Sequence, residues 1–391
     1  IMVCFSMAVI SAFIGAKGLG FNLLLALNQL NIGLALEAGL CISLIAILLD
    51  KMSLAWANKQ TDYFGNLTFF QRNKNIIFFT ASVVVGVILA YVGTFIFKGS
   101  FNYLFEVPHN KGISTADFWN KGVDWIFDTF FVYIKAFNTW LIVDVLQPMR
   151  ALYLRMPAVA TLVLVVGAGY IIGGIRSALV VCGLTLFIAL SPWWDRALVT
   201  FYMATFGVVV SCLIGFTVGT LCFQNKKSAA FMLGVCDIFQ TFPSFVYLIP
   251  VMMLFGITDT SVLIAVIVYA TIPATRYTIE GLRSVPIGLH EAATMSGVNK
   301  FQRLTKIEFP LAFPHMMLGL NQTIVFALFM VIIGAFIGSE DLGQYILKAL
   351  SDKNGAGIGL TLGICVAFIG LIFDNLIRTW VGQRKKQLGI D

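Results

Sequence analysis

The sequence EAATMSGVNKFQRLTKIEFP occupies residues 291–310, between apolar stretches at residues 260–275 and 316–338. Because both neighbours are apolar enough to form membrane helices, we predict that the segment is a loop between two spans. The loop has the form E-A-A-x3-G-x9-I-x2-P, which uses Glu291, Ala292, Ala293, Gly297, Ile307 and Pro310.

A short surface helix is predicted within this loop, which we take to extend over residues 283–315. Ala292 and Ala293 are strong helix formers with little bulk, so a helix containing them can approach a partner closely. Gly297 can adopt a positive φ and end that helix. Pro310 does not continue an interior helix, so we expect the chain to turn back toward the membrane there.

The composition excludes an ordinary soluble protein. Of the 391 residues, 59% are apolar and 12% are charged, whereas a soluble domain carries roughly a quarter charged residues. The same composition excludes a disordered chain, a collagen-like fibre and a disulfide-stapled secreted module. The net charge of +7 is attributed to basic residues in cytoplasmic loops rather than to nucleic-acid binding. The chain is therefore predicted to be an all-α, polytopic membrane protein.

About ten hydrophobic segments approach the length of about 20 residues that a membrane-spanning helix needs. The segments at 176–191 and 260–275 are short, and could be tilted or re-entrant. The chain starts at Ile1 within an apolar segment, so we expect further residues upstream of it. The ten segments are residues 1–14, 35–56, 76–97, 157–174, 176–191, 196–223, 231–256, 260–275, 316–338 and 357–381.

Residues 125–152 differ from these segments, because acidic and basic side chains interrupt a pattern rich in Trp and Phe. Such a pattern is typical of an amphipathic helix that lies along the membrane interface. If these residues do not cross the membrane, every loop rich in Lys and Arg falls on one side of it. The positive-inside rule then places the C-terminus in the cytoplasm.

An internal repeat relates the two ends of the chain. Residues 7–27 align with 330–350 and share the pattern A-F-I-G-x-x-x-L-G, and 33–56 align with 357–380. Asp50 recurs as Asp374 in this alignment, and both are interpreted as structural. The repeat predicts two copies of one membrane domain, in tandem and in the same orientation.

Three domains follow from the repeat. Residues 1–56 are predicted to be the last two spans of a first copy, and 57–75 a cytoplasmic linker. Residues 76–391 are predicted to form a complete second copy, which contains the interfacial helix at 125–152 and the loop at 283–315.

The E-A-A loop resembles that of the permease subunits of binding-protein-dependent ATP-binding-cassette importers. The resemblance implies a type I importer bundle, two partner ATPase subunits, a second permease domain and an extracytoplasmic substrate-binding protein. It also implies that the loop helix docks into the ATPase, with Glu291 capping or orienting the helix start. ATP and Mg would be held by the ATPase, because this sequence has no G-x-x-x-x-G-K-[ST] phosphate loop. The chain is accordingly expected to be a transport subunit of the inner membrane, not an enzyme.

A narrower resemblance covers residues 237–257, 272–297 and 319–343, which look like the glycine betaine/proline/choline permeases. It implies an osmoprotectant as the substrate. The sequence departs from that group at Ser339, Glu340 and Asp341, where relatives often have a simpler glycine-rich turn. Another solute, such as an amino acid or taurine, and an ion-coupled transporter or channel are the alternatives.

Polar and helix-breaking residues inside one apolar stretch are candidates for the translocation path, with helix kinking as the alternative. Five tryptophans could form aromatic cages for a quaternary ammonium group, although anchoring at the interface is favoured. His290, beside the E-A-A sequence, is interpreted as solvated rather than catalytic. The path candidates are Gln240, Pro243, Phe245, Tyr247 and Pro250.

Overall fold

In a computed structural model, helices account for the secondary structure of the described residues, which confirms the predicted all-α class. The structure describes residues 7–29 except 8, 10 and 15, and then 31–57, 74–95, 114–335 and 338–388.

The first three α-helices are α1 (Leu19–Asn28), α2 (Ile32–Ala57) and α3 (Lys74–Phe95). The predicted linker at 57–75 lies outside the described residues except for its ends, which belong to α2 and α3. Gly33 lets α2 start in very close contact with the chain at Ala116, where a Cβ on Gly33 would lie 2.1 Å from the Ala116 carbonyl oxygen. Helix α2 is thereby attached to the remainder of the molecule.

A long helical segment follows: α4 (Ala116–Trp140), a π-helical turn (Leu141–Leu146) and α5 (Gln147–Leu154). Asn120 accepts a hydrogen bond from the Gly33 amide (2.7 Å), and the Asn138 side chain donates to the carbonyl of Phe255 (3.3 Å). Arg150 pairs with Asp259 at 3.4 Å. Gly33, Phe255 and Asp259 all lie at the end of the bundle opposite the 283–315 loop, which we call the far end; the other is the loop end.

These contacts bear on the orientation of that segment. Asn120 and Arg150 are separated by about 45 Å along a straight α-helix, at 1.5 Å per residue. A helix parallel to the spans would therefore place them at opposite ends of the bundle. Both contact the far end, so the segment runs across it. Its length and composition would also allow it to cross a membrane, and the interfacial position stays a prediction.

Helix α6 (Ala158–Leu190) folds back on itself at Gly174, where φ is +67°. A Cβ on Gly169 would lie 3.3 Å from the Cα of Ala178, although residues nine apart are about 13 Å apart in a straight helix. The predicted segments at 157–174 and 176–191 are the two arms of this hairpin.

The next helices are α7 (Trp194–Phe223), α8 (Lys226–Thr241), α9 (Phe245–Phe255) and α10 (Asp259–Arg283). Helices α8 and α9 meet at an angle of 94°, so the predicted span at 231–256 is broken. The remaining helices are α11 (Ile287–Met295), α12 (Lys300–Arg303), α13 (Phe309–Gly334), α14 (Leu342–Ser351) and α15 (Ala356–Leu388), with a π-helical turn at Leu304–Glu308.

Helix α10 forms the centre of the core. Glycines of α7 face it, since Cβ atoms on Gly207 and Gly215 would lie 2.5 Å from side chains of Val266 and Ala274. On the other side of α10, a Cβ on Gly334 of α13 would lie 2.2 Å from Val262. Small residues allow membrane helices to approach closely, and this packing holds α10 rigidly between its neighbours.

Seven helices among the described residues are long and apolar enough to cross a membrane, or eight if α8 and α9 form one bent span. The predicted number of about ten is therefore a little high. Most of residues 1–14 lie outside the described residues, and α3 contains only a short apolar helix, Ile77–Leu89. Helix α6 counts once although it folds back.

Candidate functional site: the loop helix and the cavities along α2

The E-A-A sequence lies on α11, a nine-residue helix at the loop end. The helix ends as predicted, because Gly297 has a φ of +73°. The Gly297 amide donates to the carbonyl of Thr294 and the Val298 amide to that of Ala293, each at 3.1 Å. This pair of bonds is a Schellman motif, which satisfies the last carbonyl groups of a helix. The helix is thus a defined unit with a fixed end.

The position of Glu291 differs from the expectation that it caps or orients the start of the helix. The helix starts after Pro286, and Glu291 lies in its middle with an exposed side chain. A proline preceding the first turn supplies a fixed φ near the helix start, so a carboxylate cap is not used. Ala292 is exposed, whereas Ala293 is 5% exposed and faces the protein. Glu291 and Ala292 are therefore available to a partner.

The expected turn at Pro310 is wrong. The chain reverses between Gly297 and Asn299, whose side chain accepts a bond from the Gln302 amide and caps α12. From Lys300 the chain is helical to Gly334, and Pro310 lies in the first turn of α13. The π-helical turn at Leu304–Glu308 immediately precedes this proline, and such a local change of helix type can accommodate the missing N–H. Ile307 and Pro310 are half-buried.

A buried carboxylate fastens α11 to this long helix. Glu308 is 2% exposed, and its Oε1 lies 3.0 Å from Nδ1 of His290 and 2.9 Å from Nε of Arg303. The prediction that His290 is solvated is therefore wrong: its side chain is 23% exposed and bound to a carboxylate. Removing one partner of a buried pair is strongly destabilising, so Glu308 holds α11 against the start of α13. Sequence reasoning missed Glu308, although an acidic residue between Ile307 and Pro310 was a visible signal.

The outer surface of the loop is unusually apolar. Met295 is 90% exposed, Ile287 75% and Phe301 72%. On a membrane span such exposure is expected toward lipid, but these residues lie in the loop between α10 and α13. Large apolar side chains that are this exposed outside a membrane span make the loop a candidate surface for contact with another protein.

The predicted path residues do not share one environment. Gln240 accepts a hydrogen bond from Arg276 Nη1 (2.7 Å) and lines a cavity at the loop end. Phe245 and Tyr247 are buried in the core, at 0% and 6% exposure, and the Tyr247 hydroxyl donates to the carbonyl of Phe239. Pro243 lies at the bend between α8 and α9, and Pro250 lies inside α9 with an exposed side chain. A role in the path for these five residues stays a prediction.

Two cavities lie along one face of α2. The far-end cavity has a volume of about 440 Å³ and lies between α1, α2 and α9, with Asn31 as its main polar side chain. The loop-end cavity has a volume of about 780 Å³ and lies between α2, α8 and α10. Its lining residues are Ile47, Asp50, Lys51, Leu54, Gly234, Asp237, Ile238, Gln240, Thr241 and Arg276.

The two cavities are separated by a dry contact between α2 and α9. A Cβ on Gly39 would lie 3.3 Å from both Ile249 Cδ1 and Val246 Cγ2. Ile32 and Ala35 line one cavity, and Asp50 and Leu54 line the other. At 100° per residue, these positions and Gly39 fall on one face of α2. Sequence reasoning missed this face, because α2 is apolar all round.

A charged network ties the far end together. Arg150 Nη2 lies 2.7 Å and Arg196 Nη1 3.3 Å from Oε2 of Glu340, and the hydrogen bond from Arg150 lowers the pKa of the Glu340 carboxyl. Asp341 caps α14 by accepting a bond from the Gln344 amide (3.1 Å). Asp341 is fully buried, and burial raises its pKa to about 7. The residues at 339–341, where the sequence departs from a glycine-rich turn, thus connect α5 and α7 to α14.

The tryptophans do not form a cage around a free site among the described residues. Trp193 packs on Tyr345 at 5.0 Å, and that ring is already in contact with the cations of Arg196 and Lys348. Trp125 and Trp140 are 65% and 52% exposed, which fits anchoring at an interface. In the part of the chain that the structure describes, no group of three metal-binding side chains occurs.

Comparison with known proteins identifies the class of this bundle. Residues 207–387 match the model of the family described as "binding-protein-dependent transport system inner membrane component". This range contains α11 and its attachment to α13.

Three relatives extend the comparison. The chain is 88% identical over 390 residues to the trimethylamine N-oxide transport system permease protein TmoV of Pelagibacter ubique, covering all of this chain and 54% of the relative. It is 37% identical over 406 residues to the protein of the same name from Ruegeria pomeroyi, covering all of this chain and 58% of the relative. The glycine betaine/proline betaine transport system permease protein ProW of Escherichia coli is 30% identical over 284 residues, with 72% of this chain and 79% of that protein covered.

The chain thus spans a little over half the length of the two trimethylamine N-oxide relatives, and more than three quarters of the betaine relative. The family match, the betaine relative and the helical bundle agree. The chain belongs to the family of inner membrane components of binding-protein-dependent transport systems.

Proposed function

We propose that the chain is the permease of an ATP-driven importer for trimethylamine N-oxide or a betaine-like solute. The observation that carries this proposal is α11, a capped helix with an exposed apolar surface that a buried Glu308 fastens to α13. The relatives transport a methylated amine oxide or betaines by their printed names, which supports this substrate class. Neither the amino-acid or taurine alternative nor the ion-coupled alternative is favoured.

The coupling begins at a partner ATPase. Two ATPase subunits hold ATP and Mg, and one of them receives α11 through Glu291, Ala292 and the apolar side chains around Met295. Closure of the ATPase pair pushes α11, and the Glu308 contact passes the movement to α13. Because α13 and α7 enclose α10 closely, the helices around the cavities move together. The translocation path then opens alternately at the far end and at the loop end.

The remaining parts of the assembly follow from the same proposal. The loop end is cytoplasmic, together with the C-terminus of α15. The far end faces the extracytoplasmic binding protein, and the segment 116–154 lies along the outer membrane surface as a scaffold. A second permease domain completes the path, and residues 1–56 are the end of that domain in a tandem chain.

Substitution of Ala292 tests the ATPase contact. Ala292 is exposed, so Ala292→Trp leaves the packing of this chain intact but blocks the close approach of a partner. We expect uptake of solute into vesicles to fall by about tenfold or more, equivalent to at least ~1.4 kcal/mol, with loss of ATPase binding or of coupled ATP hydrolysis. Lys353→Trp, at an exposed position of the far end, is the matched control. Unchanged uptake and ATPase turnover in Ala292→Trp would contradict the coupling role.

A further inference from the structure

The loop-end cavity combines charges of both signs with apolar walls. Its charged lining comes from three helices: Asp50 and Lys51 on α2, Asp237 on α8 and Arg276 on α10. Ile47, Leu54 and Ile238 form apolar parts of the wall. Ionisable residues in membrane helices are costly and mark substrate pathways more often than packing sites. The cavity is therefore a candidate binding site.

The guanidinium of Arg276 is held in a fixed position by three acceptors. Its Nη1 lies 2.8 Å from Oδ1 of Asp237 and 2.7 Å from Oε1 of Gln240, and its Nε lies 2.9 Å from Oε1 of Glu280. Among the described residues, Nη2 of Arg276 has no hydrogen-bond acceptor. A preorganised donor with a free N–H is suited to an anionic oxygen.

Asp50 supplies the opposite charge. Its equivalent in the repeat, Asp374, accepts bonds from Arg378 Nε (2.7 Å) and from the Asn321 amide (3.1 Å). Asp50 has neither an ion pair nor a hydrogen bond to a described residue, because Leu54 occupies the position that corresponds to Arg378. An unpaired carboxylate near the end of a membrane helix is poorly explained by stability. Its exposure to the cavity leaves it available to a cation.

The charges together favour a dipolar solute over a simple anion. Asp50, Asp237 and Glu280 are three carboxylates, and Lys51 and Arg276 are two cations, so the group is slightly anionic. A methylated amine oxide or betaine carries a cationic nitrogen shielded by methyl groups and an anionic oxygen. The apolar walls suit the methyl groups, and the volume of about 780 Å³ leaves room for water beside the solute. Binding there is expected to be weak, as release requires.

We propose that the loop-end cavity holds the methylated solute just before its release, with Asp50 against the cationic nitrogen and Nη2 of Arg276 donating to the anionic oxygen. This assignment rests on the proposed function, since it takes the solute from it. It adds Asp50 and Arg276 as residues that contact the solute, and it specifies how the solute is oriented in the cavity. Asp50, interpreted from the repeat as structural, has a binding role under this assignment.

The decisive measurement is protection of a cysteine in the cavity wall. Leu54 lines the cavity and is 48% exposed, so Leu54→Cys in the assembled transporter can be alkylated by a water-soluble maleimide, with the alkylation of the chain without this cysteine subtracted. Millimolar trimethylamine N-oxide or glycine betaine is expected to slow alkylation severalfold. The protection should disappear when Asp50→Asn is added and persist with Asp50→Glu. Absence of protection, or equal protection with Asp50→Asn, would overturn the assignment.

Uptake into proteoliposomes separates this assignment from the function on which it rests. Asp50→Asn is expected to reduce uptake of either solute per ATP hydrolysed by about tenfold. Asp374→Asn, at the equivalent position of the repeat, should leave uptake per folded transporter within about twofold. Normal uptake by Asp50→Asn overturns the binding role of Asp50 alone. Failure of the unsubstituted transporter to take up either solute overturns the proposed function itself.

Discussion

Helices α1 and α2 share a sequence pattern with α14 and α15, yet the two pairs pack against different neighbours. Helix α15 packs on α6, α13 and α14, whereas α2 packs on α1, α4, α8 and α9. The apolar pattern common to both pairs is therefore sufficient for a helical hairpin but does not select its neighbours. A few polar and glycine positions therefore select the neighbours of each pair. The tandem arrangement itself stays a prediction.

Those positions can be read directly from the alignment. Asp341 caps α14 through its side chain, whereas Gly18, the equivalent residue, precedes α1 without a side-chain cap. Glu340 binds two arginines, and its equivalent is Lys17. The acidic residues before α14 thus attach the second pair, α14 and α15, to α5 and α7. In the first pair, Asp50 lies beside a cavity and has no ion pair with a described residue.

The largest loss of stability is expected at Gly33, whose equivalent in the repeat is Gly357. Gly33→Ala places a Cβ 2.1 Å from the backbone oxygen of Ala116, and α2 must separate from α4. We expect a loss of about 2–3 kcal/mol in the free energy of unfolding, measured by thermal unfolding in detergent. The added Cβ of Gly357→Ala meets no atom of a described residue within 4 Å, so this variant should be neutral or slightly stabilising. Equal losses for the two variants would show that the pairs pack alike.

A smaller loss of stability is expected when Glu340, which precedes α14, is replaced by lysine, the residue at the equivalent position before α1. Glu340→Lys places a cation beside Arg150 and Arg196. Because Glu340 is about half exposed, the expected destabilisation is on the order of 1–2 kcal/mol, and high salt should reduce it. Lys17→Glu, the reciprocal change at an exposed position, is the control. A Glu340→Lys variant as stable as the unsubstituted chain would argue against the far-end network.

The pH dependence of stability should differ between the unsubstituted chain and the variant Asp341→Asn. Burial raises the pKa of Asp341 to about 7, above the value of about 4 in an unfolded chain. Between these values the unfolded carboxyl ionises while the folded one stays protonated, so the chain loses stability as pH rises and the loss is complete above about 7.

Asp341→Asn, which can still cap α14, removes this loss. Its melting temperature should be closest to that of the unsubstituted chain near pH 4 and exceed it by a margin that grows as the pH rises to about 7. A constant difference across this range would contradict the raised pKa.

The smallest changes in stability are expected from substitutions of the two recurring aspartates, Asp374 and Asp50. Asp374→Asn loses the pair with Arg378, which is 74% exposed, and weakens the contact with Asn321. A loss of about 0.5–1 kcal/mol is expected. Asp50→Asn should change stability by less than about 0.3 kcal/mol, although we expect it to reduce transport. A larger loss of stability for Asp50→Asn would return Asp50 to a structural role.

The sequence alone predicted the elements better than their arrangement. Hydropathy located the arms of α6 and the cores of α7, α10, α13 and α15, because length and apolar character suffice for a membrane helix. Pro310 misled the prediction, since a π-helical turn absorbed the proline inside a continuous helix. A local rule about proline carries no information on the helix type that precedes it.

The candidate site was predictable only where local sequence determines geometry. Gly297 and the short helix before it follow from propensity and the need for a positive φ. The contact of Glu308 with His290 joins positions eighteen residues apart through a chain reversal, and the cavity beside Asp50 requires the packing of three helices. Neither follows from periodicity, because both depend on tertiary contacts.

The hairpin in α6 has a consequence for the surrounding lipid. Each arm, 158–173 and 175–190, is about 24 Å long at 1.5 Å per residue, whereas the hydrocarbon layer of a typical bilayer is about 30 Å thick. Much of this hairpin is exposed and apolar, including Ile171 at 82% and Leu190 at 78%. The bilayer beside it must therefore become locally thinner. We expect the protein to carry an annulus of thinned bilayer on this side, and to be most stable in membranes made of shorter-chain phospholipids.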